Sequence, residues 1–321
     1  MEGANERVCV TGAGGFVASW LVKLLLSKGY TVHGTVRDPR DKKNAHLMKL
    51  KEGYEKLQLF QADLMNYSSL CAAITGCNGV FHVATPVPPG SDAVLEAELV
   101  EPAIVGTLNV LKACSEAKVK RVVVVSSSAA VEMNPNWPKD QVMDETCWSD
   151  KEYCKQTKNW YFFSKTVAEN EALEYSKGTG LDVVTVCPSI VIGPMLQSTV
   201  NGSSLVLIKI LKDGIDRVEN KVRMLVDVRE VAEALLLTYK KPEAQGRYLC
   251  VSYMIRMKDL VEKLRSVYPN YNYPKNFTEV EEEDKLSSAK LQSLGWKFRP
   301  LEETLADSVK SYQEAGILDK D

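Results

Sequence analysis

The sequence predicts an α/β fold: a doubly wound (Rossmann), mainly parallel sheet with a smaller C-terminal lobe interleaved with it. Three observations lead there. Short β-branched runs alternate with amphipathic stretches over the first two-thirds of the 321 residues. The runs are apolar without alternation, as in VVVV at 122–125, which suits strands covered by helices on both faces. Finally, the glycine-rich stretch Thr11-Gly12-Ala13-Gly14-Gly15-Phe16-Val17-Ala18 joins the first run to the first amphipathic stretch.

In chain order, strands are expected at 8–11, 31–36, 57–61, 79–83, 122–126 and 183–187, with the first helix at 18–28. Pro188 stops the last of these strands from continuing as a helix. Residues 195–221 read as apolar turns and a charged loop around Gly202 and Gly214. A return strand at 223–228 feeds a helix at 230–239, followed by a strand at 247–251 and helices near 258–267 and 301–315. On this reading, residues 1–190 with the return segment 222–240 form a dinucleotide domain. Residues 191–221 and 241–321 form the substrate lobe.

Composition removes several function classes. A net charge of −2 gives no long-range attraction to nucleic acid or an anionic membrane, so neither partner is expected. The eight cysteines lack CxxC spacing, and the three histidines (33, 46, 82) stand apart from them, so no metal site is expected and the thiols read as reduced. The start, MEGANERVCV, lacks the pattern of a secretory signal, and no apolar run reaches the roughly 20 residues needed to span a bilayer. A cytoplasmic enzyme is the expectation.

Between a strand and a helix, Gly12 and Gly15 stand where a dinucleotide pyrophosphate approaches the helix N-terminus, with Phe16 and Val17 opening that helix. Ala18 keeps the small residue that close helix–sheet contact needs. The second strand ends Val36-Arg37-Asp38. An acid at this tip selects NAD, whereas Arg37, with Lys43 beyond it, suits the 2′-phosphate of NADP(H). NADP is favoured, and Asp38 turned inward is the alternative. Asp63 and Leu64 end the third strand, where the acid either accepts from the adenine amino group or caps the next helix.

Tyr161 and Lys165, four residues apart at a helix start, share one face. A cation beside a phenol is expected to lower its pKa and make it a working acid and base. Ser126, Ser127 and Ser128 follow the 122–125 strand at the sheet's C-terminal edge; one hydroxyl supplies a second donor to a developing oxyanion, or the serines serve as caps.

The set TGAGGFVAS, VVVVSSSAAV and NWYFFSK resembles the extended short-chain dehydrogenase/reductases, in particular the plant branch containing cinnamoyl-CoA reductase and dihydroflavonol reductase. GTVRDPRDKKNAHL, GVFHVATPV, EPAIVGTLNVLKAC, DETCWSD, VDVREVA and GRYLC continue the match in order. The resemblance implies catalysis by Ser127, Tyr161 and Lys165, with Lys165 also on the nicotinamide ribose. It puts Arg37 and Lys43 on the 2′-phosphate, Pro188 and Ser189 beside the nicotinamide, and Ala84 and Thr85 on its other side.

The departures concern substrate. Where cinnamoyl-CoA reductases read KNWYCYGK, this chain has Phe162-Phe163-Ser164, which also leaves Cys154 without the cysteine that pairs with it in some relatives. Val206 stands at a family histidine, while Lys209 and Arg256 match polar positions linked with CoA. Val200, Leu205 and Tyr253 complete the expected pocket. The resemblance implies an aromatic, phenylpropanoid-like carbonyl substrate. Simple aldehyde or ketone reduction is placed slightly ahead of reduction of a CoA thioester, and a catalytically silent NADP-binding protein is the alternative from another class.

Overall fold

A computed structural model describes residues 6–53, 55–85, 96–280 and 285–319. The central sheet contains β1 (Arg7–Val10), β2 (Thr31–Val36), β3 (Leu57–Gln61), β4 (Gly79–His82), β5 (Arg121–Val125) and β6 (Val183–Pro188). After it the chain forms β7 (Ile190–Ile192), β8 (Arg217–Asn220) and β9 (Val222–Asp227), then β10 (Gly246–Cys250), β11 (Tyr253–Arg256) and β12 (Asn276–Glu279). Seven strands make one sheet in the order β10-β6-β5-β4-β1-β2-β3, every pair parallel. From β1 the chain winds outward to β3, then crosses back to β4 and winds the other way. That reversal opens a crevice beyond the C-terminal ends of β1 and β4, where open α/β sheets bind their ligands.

The helices are α1 (Phe16–Ser27), α2 (Ala45–Gly53), α3 (Tyr67–Ile74), α4 (Glu96–Glu116), α5 (Lys151–Gln156) and α6 (Trp160–Thr179). They continue with α7 (Gly202–Lys212), α8 (Val228–Lys240), α9 (Met257–Val267), α10 (Ala289–Ser293) and α11 (Leu301–Glu314). Helices α1 and α8 pack together on one face of the sheet, and α4 packs with α3 and α6 on the other. The apolar strands supply both cores: Val8 and Val10 of β1 point into the first, and Cys9 into the second with Val80, Val122 and Val124. Uninterrupted burial explains why these strands show no polar alternation.

The smaller lobe has its own core, in which Leu207, Ile208, Ile210 and Leu211 of α7 meet Leu225, Leu260, Val261 and Tyr312. Strands β7, β9 and β11 form a three-stranded sheet there, and β8 pairs with β12. Two expectations change. The return strand, here β9, joins the three-stranded sheet rather than the central one, while α8 does pack against the central sheet. Conversely β10, expected in the small lobe, is the edge strand of the central sheet, paired with β6 from Gly246 opposite Val184 to Cys250 opposite Pro188. Residues 202–212, read as turns, form α7 because their apolar positions bury one helical face despite the Gly-Ser-Ser start. Helix α8 begins at Val228, earlier than expected, because Asp227 and Glu230 form a capping box.

Among the described residues no helix is long and apolar enough to cross a membrane, and no cluster of His, Cys, Asp or Glu could hold a metal ion.

Candidate active site

The glycine turn is built around Gly12, whose φ of +65° lies in the left-handed region and whose missing Cβ would come within 2.9 Å of the Ala84 Cβ. The Gly12 amide donates to the Thr35 hydroxyl at 3.0 Å, and the Ala13 amide to the Thr35 carbonyl at 2.8 Å, fixing the turn to β2. Gly15 is exposed and caps α1 without a side chain, and the first turn, Phe16-Val17-Ala18, carries no acid. The positive end of α1 is therefore left for an incoming anion. Asn44, which sequence reasoning missed, is buried against Gly14 where any Cβ would collide with its side chain, and its amide donates to the Asp38 carbonyl at 2.9 Å.

Behind the turn lies a buried polar chain. The Thr107 hydroxyl donates to the Ala103 carbonyl, so it accepts from Nε2 of His82, 3.1 Å away. The Thr11 oxygen accepts from the Val83 and Ala84 amides, so its proton goes to Nδ1 of His82 at 3.0 Å. These bonds assign a neutral, Nε2-protonated imidazole. Burial, aided by the charge of Lys165, lowers its pKa to about 3.

At the tip of β2, the Arg37 side chain is 81% exposed and stands 4.0 Å from Asp63. The Asp38 carboxylate is turned back on its own loop, accepting from the Arg40 amide at 2.9 Å. Lys43 lies 2.9 Å from Asp41. Asp63 accepts from the Met65 amide at 2.9 Å, and the cap of α3 is Asn66, which removes the capping alternative for Asp63. Leu64 packs closely over Gly106.

Lys165 is buried on α6, and it lines one cavity with Ala84, Thr85, Ser126, His82 and Glu169. Its Nζ lies 6.0 Å from the centroid of the Tyr161 ring. The net shift of the Tyr161 phenol is upward, not down as expected from a neighbouring cation, because burial outweighs the rest. Desolvation raises the phenol's pKa, the Ser127 side chain pulls it back, and Glu132 raises it. Burial also lowers Lys165 to about 8, opposed by the nearby Cys187 and Glu169. Both charged forms are disfavoured by the same low-dielectric surroundings, so the pair rests as a protonated phenol beside a weakened ammonium.

The Ser127 oxygen accepts from the Ala129 amide at 3.2 Å and caps a short 3-10 turn, so its hydroxyl proton remains to be donated elsewhere. Ser126 is committed differently: it donates to Glu169 at 2.7 Å. Pro188 ends β6, and the Ser189 amide donates to the Cys250 carbonyl at 3.2 Å. The buried Ser189 hydroxyl has no partner among the described residues.

An open helix end behind a glycine that admits no Cβ, together with that orphaned hydroxyl at the sheet's C-terminal edge, fits a dinucleotide laid across the crevice. The expected lobe residues have other commitments. Tyr253 donates to the Arg299 carbonyl at 2.8 Å, and Arg256 reaches Glu279 and the Asn220 carbonyl, each at 3.3 Å. Lys209 is exposed on α7, Val200 leans on the lobe core, and Leu205 is partly buried. Cys154 is a buried free thiol.

The pattern of the NAD dependent epimerase/dehydratase family matches residues 8–250. The chain belongs to that family, the extended short-chain dehydrogenase/reductases. It is 49% identical to cinnamoyl-CoA reductase 1 of Petunia hybrida over 98% of this chain and 94% of the relative. It is 42% identical to tetraketide alpha-pyrone reductase 1 of Arabidopsis thaliana over 99% and 98%. Among solved structures, vestitone reductase from alfalfa superposes with a TM-score of 0.83 at 32% identity, covering 97% of this chain and 99% of that one. The yeast methylglyoxal/isovaleraldehyde reductase complexed with NADPH gives 0.82 at 26%, covering 97% and 100%. This member of the family is a nicotinamide-dependent oxidoreductase.

Besides Asn44, the residues that sequence reasoning missed are His82, Glu169 and Arg247. The first stands at the end of β4, and the second follows Lys165 at the same four-residue interval that joins Tyr161 to Lys165. That repeated spacing was the available signal.

Proposed function

We propose that the enzyme uses NADPH to reduce a hydroxycinnamoyl-CoA-type thioester to the aldehyde. The observation that carries the reaction class is the meeting of Ser127, Tyr161 and Lys165, and the buried Ser189 hydroxyl, unpartnered among the described residues, supports it. Five cinnamoyl-CoA reductases at 44–49% identity over at least 98% of this chain support the thioester and reverse the order in which the sequence alone ranked the substrates. Preference for NADP rests on Arg37, whose largely exposed side chain can meet a 2′-phosphate, and on Asp38, whose carboxylate turns to the Arg40 amide.

The cofactor, when bound, supplies a hydride to the carbonyl carbon. The turn from Gly12 to Val17 holds its phosphates, Asp63 and Leu64 its adenine, and Ala84, Thr85, Pro188 and Ser189 the nicotinamide end. Ser127 and Tyr161 donate hydrogen bonds to the carbonyl oxygen as negative charge builds there. Tyr161, protonated because burial raises its pKa, delivers the proton. The Lys165 ammonium stabilises the phenolate left behind and binds the nicotinamide ribose. With a thioester, the resulting hemithioacetal then releases the CoA thiol and the aldehyde.

A second reading, direct reduction of an aromatic aldehyde or ketone, is favoured by Val206, which leans on the apolar core of the small lobe where the resemblance places a histidine. Steady-state rates with feruloyl-CoA and coniferaldehyde under NADPH separate the two. A higher kcat/KM for the aldehyde overturns the thioester proposal, and a Tyr161→Phe variant that keeps wild-type turnover overturns the acid role.

A further inference from the structure

Glu169 lies one helical turn beyond Lys165 on α6, wholly buried, and its carboxylate accepts five hydrogen bonds. They come from Ser126 at 2.7 Å, Thr185 at 2.6 Å, Cys187 at 3.2 Å, and Arg247 through Nε at 2.8 Å and Nη2 at 3.2 Å. Ser126 adjoins Ser127, Cys187 adjoins Pro188, and Arg247 comes from β10 at the far edge of the sheet. Arg247 spends its remaining donors on the carbonyls of Ala130, Glu145 and Cys147, and its guanidinium lies 3.4 Å from the centre of the Trp148 ring.

A pair this deeply buried is a poor stabiliser. Desolvation of both ions offsets their attraction, and apolar residues of similar volume often serve the fold as well or better. What a bidentate, fully satisfied fork does supply is fixed geometry. The groups it fixes adjoin Ser127 and Pro188 in sequence, and Glu169 itself lies one helical turn from Lys165.

We propose that the Glu169–Arg247 pair is a positioning device that holds Ser127, Lys165 and Pro188 in register and clamps the segment from Ala130 to Cys147 against the sheet edge. The proposal rests on the reductase reading above. Neither residue touches the reacting atoms; both act through the side chains and backbone they hold.

The test compares Glu169→Gln, Ser126→Ala and the double variant Glu169→Leu/Arg247→Met with the wild-type enzyme. Each is measured for thermal unfolding, NADPH binding and the pH dependence of kcat, using a carbonyl substrate that the wild type reduces. In folded Glu169→Gln, kcat is expected to fall about tenfold to a hundredfold, with the substrate KM changed by no more than about threefold. The alkaline limb should also move to lower pH, because Lys165 loses the neighbouring anion that holds its proton. Ser126→Ala should lower kcat less, and the double variant should fold yet remain slow. A folded Glu169→Gln with wild-type kcat and pH limb overturns the proposal, as does a double variant with wild-type turnover. If Glu169→Gln does not fold, the double variant and Ser126→Ala decide, and wild-type turnover in both overturns it. A wild-type enzyme that reduces none of the carbonyls offered sinks the reductase reading instead.

Discussion

Acidification should destabilise the enzyme through His82, by an amount its environment sets. In the folded state this imidazole is buried among Thr11, Thr107 and Lys165 and titrates at about 3, against 6.5 for a free histidine. Because the folded value is depressed, the unfolded chain takes up the proton first. Stability from the neutral ring is therefore intact above pH 6.5 and is lost progressively as pH falls towards 3. Each pH unit within that window costs about 1.4 kcal/mol, so lowering the pH from 7 to 5 removes about 2 kcal/mol. For a chain of 321 residues that is about 3 °C in Tm. Burial lowers the pKa of His33 and His46 as well, so the total loss does not isolate His82. Comparison with His82→Gln does, since the amide cannot titrate. Urea unfolding at pH 7 and pH 5 should show the wild type losing about 2 kcal/mol more than the variant, whatever the variant's starting stability. Equal losses would falsify the assignment of a buried neutral imidazole.

Four further outcomes are expected. The reduction rate should fall as pH rises through about 8, where Lys165 loses its proton, and Lys165→Arg should move that limb upward; a flat wild-type profile to pH 9.5 contradicts the assignment. Gly12→Ala forces a side chain into the left-handed region, costing about 1–2 kcal/mol before its contact with Ala84 is counted, so its Tm should drop by several degrees. Gly15→Ala, at φ −76°, should unfold near the wild-type temperature yet bind NADPH about tenfold more weakly, which isothermal titration can check. Arg37→Ala should weaken NADPH about tenfold while leaving NADH nearly unchanged; equal losses for both would remove the 2′-phosphate role.

The sheet and its crevice were legible because their signals are local. The runs at 31–36 and 57–61 became β2 and β3 without revision, and the glycine turn declared itself by standing between a strand and a helix. The Tyr161–Lys165 spacing was equally plain, but not its electrostatics. Spacing reports that two groups share a face, whereas the direction of a pKa shift depends on how much water both have lost. Arg247 was hidden for a different reason. Its partner Glu169 is far away in sequence, and the chain passes through most of the small lobe before β10 returns to the sheet. Asn44 was masked by the charged run around it, where one polar residue turned inward looks like its solvated neighbours.

The return of β10 bears on how this enzyme can be taken apart. A chain cut after α8 would lack the seventh strand, leaving the backbone of β6 as an open edge and Glu169 buried without its Arg247 partner. The two lobes are therefore not interchangeable modules laid end to end. Anyone exchanging the small lobe between relatives must splice on both sides of residues 246–250 and leave that strand with the central sheet, because it is the sheet, not the lobe, that depends on it.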